Sequence, residues 1–78
     1  MSWQEAGVND PDEVKVFKAL DRPDDTWRTV SAIARHTGLS ESHVAEILRK
    51  YNLKLTRWSD TPSFSGSALV GLIEKVGA

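Results

Sequence analysis

Residues Val30 to Arg49, VSAIARHTGLSESHVAEILR, decide the fold. Val30, Ile33 and Ala34 fall on one side of a helical projection, while Arg35 and His36 lean away from it. Gly38 then stands where a helix ends best in a left-handed residue. Without a Cβ it takes positive φ freely, so the chain reverses within three residues. Leu39 follows, Ser40 is the expected N-cap, and Val44, Ile47, Leu48 and Tyr51 mark the inward face of a second helix running to about Asn52. Ala34 is small, as required where two helices meet at a steep angle and their backbones come close.

Upstream, Asp10-Pro11-Asp12-Glu13 signals a helix start. Asp10 accepts from the first free amides, Pro11 suits the first helical position, and Glu13 has the spacing of a capping box. Val14, Phe17 and Leu20, with Val16 beside them, form its apolar stripe, and Arg22-Pro23 ends it. Residues 1–9 show no periodicity and are expected to be a flexible tail, leaving residues 10–78 as the domain. Asp24-Asp25 reads as a solvated turn, and Thr26 to Thr29 as a short β segment. Downstream the period changes. Leu53 to Thr56 alternates apolar and polar, predicting a half-buried strand through Trp58. Ser59 to Ser67 is dense in turn formers, Ala68 to Ile73 suits a returning strand, and Glu74 to Ala78 a short polar or frayed end.

The chain has 78 residues, 40% of them hydrophobic and 27% charged, which fits one small domain and leaves no room for a second core. It has no cysteine, so disulfides, thiolate nucleophiles and sulfur-ligated zinc are excluded and packing alone must hold the core. No apolar run approaches the roughly 20 residues that span a bilayer, and no basic segment precedes an apolar one at the start. The expectation is a cytoplasmic protein with no membrane partner. Net charge is −1, but unevenly spread. Residues 1–25 carry seven acids against three bases, and residues 28–58 carry six bases against two acids. That asymmetry gives either one positive face or two ends that neutralise each other through weak surface pairs.

The order helix, short strand, helix, glycine turn, helix, β-hairpin resembles a winged helix-turn-helix domain over residues 11 to about 73. The resemblance rests most firmly on Ile33, Ala34, Gly38, Leu39, Val44 and Ile47, which occupy the small, turn and apolar positions of that family's pattern. Thr37 departs from it, standing where an apolar side chain is usual; its methyl is expected to pack while its hydroxyl caps. The fold implied is α+β and mainly helical, three helices with a small β-hairpin wing in the order α-β-α-α-β-β.

The resemblance implies a module that binds double-stranded DNA through its third helix, in transcription regulation. With Val44 at the centre of the inward face, Ser42, Glu46 and Arg49 point outward and His43 and Lys50 lie on one flank. Ser42 and His43 are then candidates for base edges, Arg49 for guanine or phosphate, and Lys50 for phosphate, with Ser40 a further candidate for nucleic-acid contact. Arg28, Ser31 and Arg35 around the second helix, and Lys54 and Arg57 on the first wing strand, would position the backbone. Glu46 fits poorly in a groove lined by phosphates: it either accepts from cytosine N4 or forms a solvated i, i+4 pair with Lys50.

The wing segment Ser59 to Ser67 holds Asp60 and no cation, whereas a wing entering the minor groove normally offers one. Phe64 is a wedge at its tip or, more commonly for a loop aromatic, folded back on the hairpin. Trp27 is expected to pack across strands, as is Trp58. Trp3 is either docked on an apolar gap or available to a partner. An alternative of another class is a protein-interaction or oligomerisation module, with another protein or a second copy as partner; Glu41, Glu46 and the uncharged wing tip favour it. Enzyme activity, metal and cofactor are not expected. His36 and His43 lie on separate helices without an acid pair, and Gly66 alone makes no phosphate loop.

Overall fold

The computed structural model describes residues 2–24 and 26–77. Met1, Asp25 of the expected Asp24-Asp25 turn, and Ala78 lie outside the described residues. The elements run α1 (Pro11–Leu20), β1 (Arg28–Thr29), α2 (Val30–Thr37), α3 (Glu41–Lys50), β2 (Thr56–Trp58), β3 (Leu69–Leu72) and α4 (Ile73–Val76). This is an α+β fold with a three-stranded antiparallel sheet in the order β1-β3-β2. Arg28 pairs with Val70 and Thr29 with Leu69, while Thr56, Arg57 and Trp58 pair with Leu72, Gly71 and Val70. Among the described residues no helix is long and apolar enough to cross a membrane.

Each of the three longer helices begins at a side chain that accepts from its free amides. Asp10 accepts from Asp12 and Glu13 N–H at 3.0 and 3.2 Å, Thr29 from Ala32 N–H, and Ser40 from His43 N–H. Gly38 ends α2 at φ 78°, the left-handed residue that the reversal needs. Thr37 completes the turn: its hydroxyl donates to the Ile33 carbonyl at 2.9 Å and accepts from Leu39 N–H at 3.2 Å. The core comprises Val16, Phe17, Ala19 and Leu20 of α1, Ile33 and Ala34 of α2, and Val44, Ile47 and Leu48 of α3. Leu55, Val70 and Leu72 close it from the sheet side.

Four expectations need correction. The segment before α1 does not trail free of the domain. Trp3 is 6% exposed, its ring stacks on Phe17 at 5.9 Å between centroids, and its Nε1–H donates to Asp21 at 3.1 Å. A large ring with one polar edge gains more by covering Phe17 than by staying in water. Leu53 is not in a strand. It is 78% exposed at φ 65°, because the chain turns tightly after α3 so that the Tyr51 carbonyl accepts from the amides of Lys54, Leu55 and Thr56. The end of the chain is not merely frayed: α4 is anchored by Lys75, whose ammonium donates to the Arg22 carbonyl at 2.6 Å and lies 3.6 Å from Asp21. Phe64 does not fold back on the hairpin but is fully exposed at the loop tip.

Trp27 packs across the sheet as expected. Its ring edge lies where a Cβ on Gly71 of β3 would come within 3.1 Å, and the Arg57 guanidinium sits 5.5 Å from its ring centroid.

Candidate nucleic-acid interface

The outward face of α3 is open. Val44, Ile47 and Leu48 point into the core, so Ser42, Glu46 and Arg49 on the opposite side are exposed. Arg35, in the last turn of α2, is exposed as well, and so is Lys54, which lies in the turn after α3 rather than on a wing strand. Among the described residues the side chains of Arg35, Arg49 and Lys54 form no hydrogen bond or ion pair. Ser31 is exposed one residue into α2.

The other candidates are engaged inside the molecule. His43 Nε2 lies 3.0 Å from Asp12 of α1, the two side chains being less than half exposed. Arg28 donates to the Ala19 carbonyl at 2.9 Å and approaches His36 Nδ1 at 3.5 Å. Arg57 faces away from the α3 side of the sheet, over Trp27, with its Nη1 3.4 Å from the Gly77 carbonyl and its Nη2 3.9 Å from Asp60. Ser40 spends its hydroxyl on the His43 amide.

Lys50 is the most instructive case. It does not pair with Glu46. Its ammonium donates to Glu13 Oε2 at 2.7 Å, and Tyr51 donates its phenol proton to Glu13 Oε1 at 2.5 Å. Glu13 is only 8% exposed, and the Lys50 ammonium also lies 5.3 Å from the Tyr51 ring. Glu13 has the capping-box spacing, but its carboxylate turns toward α3. Charge-assisted bonds from an exposed cation and a phenol to this buried carboxylate outweigh one local amide. The result is a polar clamp between α1 and α3 that sets how α3 stands on the scaffold.

The clamp has a pH signature. The Lys50 pKa is raised, first by the hydrogen bond to Glu13, against the pull of desolvation. The Tyr51 pKa is raised from the ordinary 10.0, first by burial and then by the bond to Glu13. Both folded-state values lie above the unfolded ones. The stability they add is therefore complete below the ordinary tyrosine value and is lost as pH rises through the raised values. Urea unfolding between about pH 8 and about pH 12 is expected to show a decline on the alkaline side, and Glu13→Gln to flatten it.

The molecule also carries two recesses. One of about 330 Å³ lies between the starts of α2 and α3 and the hairpin, and Trp58 and Glu41 are among its walls. The other, about 290 Å³, is lined by Lys15, Lys18, His36 and Thr37, between α1 and α2. Sequence reasoning passed over Lys15 and Lys18 because they sit in the acidic third of the chain; their spacing of three on one helix face was the available signal. Among the described residues no group of three or more His, Asp or Glu is placed to hold a metal ion. Compared with known proteins, the chain matches no family model, no curated protein and no solved structure.

Proposed function

We propose that the chain is a winged helix-turn-helix module that binds double-stranded DNA through the outer face of α3. The observation that carries this reading is the uncovered stripe of Ser42, Glu46 and Arg49, flanked by the unpaired cations Arg35 and Lys54. The reading is supported by the order of elements around the stripe and by β3 pairing with both β1 and β2. Arg49 reaches a base edge or phosphate from the C-terminal end of the stripe, Ser42 a base edge, and Arg35, Lys54 and Ser31 the flanking backbone. His43 and Lys50 hold α3 against α1 and act as positioning residues. With so few cations free, binding is weak and its salt dependence shallow, because the slope scales with the number of phosphates neutralised.

A duplex of arbitrary sequence titrated at low salt is expected to shift the amides of Ser42, Glu46 and Arg49 together with those of Arg35 and Lys54. Arg49→Ala should weaken binding by about fivefold or more and reduce the salt slope. Shifts absent from α3, or an Arg49→Ala variant binding as the parent does, would overturn the proposal.

A second reading, a protein-interaction module, is favoured by the fully exposed Phe64 and by Leu53, 78% exposed. Sedimentation across a concentration series separates the two. Self-association weakened by Phe64→Ser supports an interaction surface, whereas a strict monomer with duplex-induced shifts on α3 supports DNA binding.

A further inference from the structure

We infer that the 330 Å³ recess between the starts of α2 and α3 and the hairpin binds an organic cation, a guanidinium or ammonium head carried on an alkyl stem. Its walls combine Val30 and Ala68, the half-buried indole of Trp58, the hydroxyl-bearing Ser31 and Ser67, and the carboxylate of Glu41. None of the residues lining it is Lys, Arg or His. Glu41 is exposed and its carboxylate makes no hydrogen bond or ion pair among the described residues, so it is ready to accept a charged donor.

The chemistry of the walls selects the ligand. A phosphate or carboxylate would meet the full charge of Glu41, with only the partial positive charge at the starts of α2 and α3 against it. A wholly apolar group would strip water from the carboxylate and two hydroxyls without replacing their hydrogen bonds. A guanidinium or ammonium instead finds an anion, an electron-rich aromatic system and hydroxyl acceptors, while Val30 and Ala68 support its methylenes. The volume accommodates a side chain of arginine size. The recess is also held firmly. Thr29 caps α2 beside it, Ser40 caps α3, and Trp58 pairs with Val70 in the sheet. This site does not depend on DNA binding by α3, and a failed duplex titration leaves it standing.

The test uses the full chain and ethylguanidinium chloride, followed by the Trp58 indole N–H resonance and the amides of Ser31, Glu41 and Ser67. A saturable shift confined to those groups is expected, with affinity about fivefold lower in Glu41→Gln, whose exposed position leaves folding intact. Sodium propionate, similar in size and opposite in charge, should leave the resonances unmoved. A second arm compares a short peptide containing arginine with the same peptide containing citrulline. Binding of the arginine peptide more than about tenfold tighter than ethylguanidinium identifies a polypeptide side chain as the occupant, and equal affinity identifies a free small cation. Non-saturating shifts, equal response to propionate, or Glu41→Gln binding as the parent does would overturn the inference.

Discussion

Phe17→Ala is expected to leave little of the chain folded in water at room temperature. Phe17 is fully buried at the centre of α1, stacked on Trp3 at 5.9 Å and meeting Tyr51 edge to face at 5.1 Å. Removing a buried phenyl ring typically costs about 3–5 kcal/mol, the transfer term plus the cavity left behind. A chain of this length has about 4–12 kcal/mol in total, and small domains fall toward the lower end. The loss does not stop at the ring. Trp3 forfeits its stacking surface, so the segment before α1 detaches, and the Tyr51 phenol that donates to Glu13 loses its aromatic neighbour. Urea denaturation followed by tryptophan fluorescence measures the loss. A midpoint within experimental error of the parent's would show that this ring is not the keystone. Phe17→Leu should retain most of the stability, because it keeps much of the volume without the stacking.

Gly71→Ala is expected to be nearly as damaging, although it adds a single methyl to a strand. A Cβ at Gly71 would lie 2.9 Å from the backbone carbonyl oxygen of Thr26 and 3.1 Å from both Trp27 Cε3 and Val76 Cγ1. The nearest of these is backbone, which cannot rotate aside. The strand must therefore shift against β1 and β2, at a cost of about 2–3 kcal/mol. Gly71 is central because β3 is the middle strand, with the Thr26-Trp27 segment and α4 both closing on its outer face. Thermal unfolding by circular dichroism should show a drop of about 10 °C or more, since about 1 kcal/mol moves the midpoint of a domain this size by about 4–8 °C. A Gly71→Ala midpoint equal to the parent's would mean that Trp27 and α4 yield freely and do not lock the sheet. The two substitutions probe opposite failures, a void in the helical layer and a clash behind the sheet.

What could be read from the residues was whatever a few neighbours settle among themselves. Asp10 and Ser40 cap the helices they precede because each oxygen reaches amides two or three residues on. Gly38 turns left-handed because its own missing Cβ permits it. The apolar positions of α3 already fixed which side of that helix is open, so Ser42 and Arg49 were identifiable as outward-facing residues. The alternation at Leu53 misled because the pattern of a half-buried strand and that of a tight turn after a helix coincide over four residues. The carbonyl of Tyr51, accepting three amides, settled the matter in favour of the turn.

Side chains with long reach were undetermined until the elements met. Glu13 had one local option, the capping box, and the approach of Lys50 and Tyr51, 37 and 38 residues away, turned it to clamping α3 instead. His43 went to Asp12 and Arg57 to Trp27 for the same reason. A flexible charged chain pairs with whichever opposite charge or ring the packing delivers in a partly dry place, and chain order carries no record of that. The amino-acid sequence was sufficient for α1, α2 and α3, for the caps Asp10 and Ser40 and for the reversal at Gly38, because those rest on backbone geometry within one turn. Docking of Trp3 on Phe17, the crowding of Gly71 and the division of the cations into bound and free came from the assembled layers, because each depends on contacts between segments far apart along the chain.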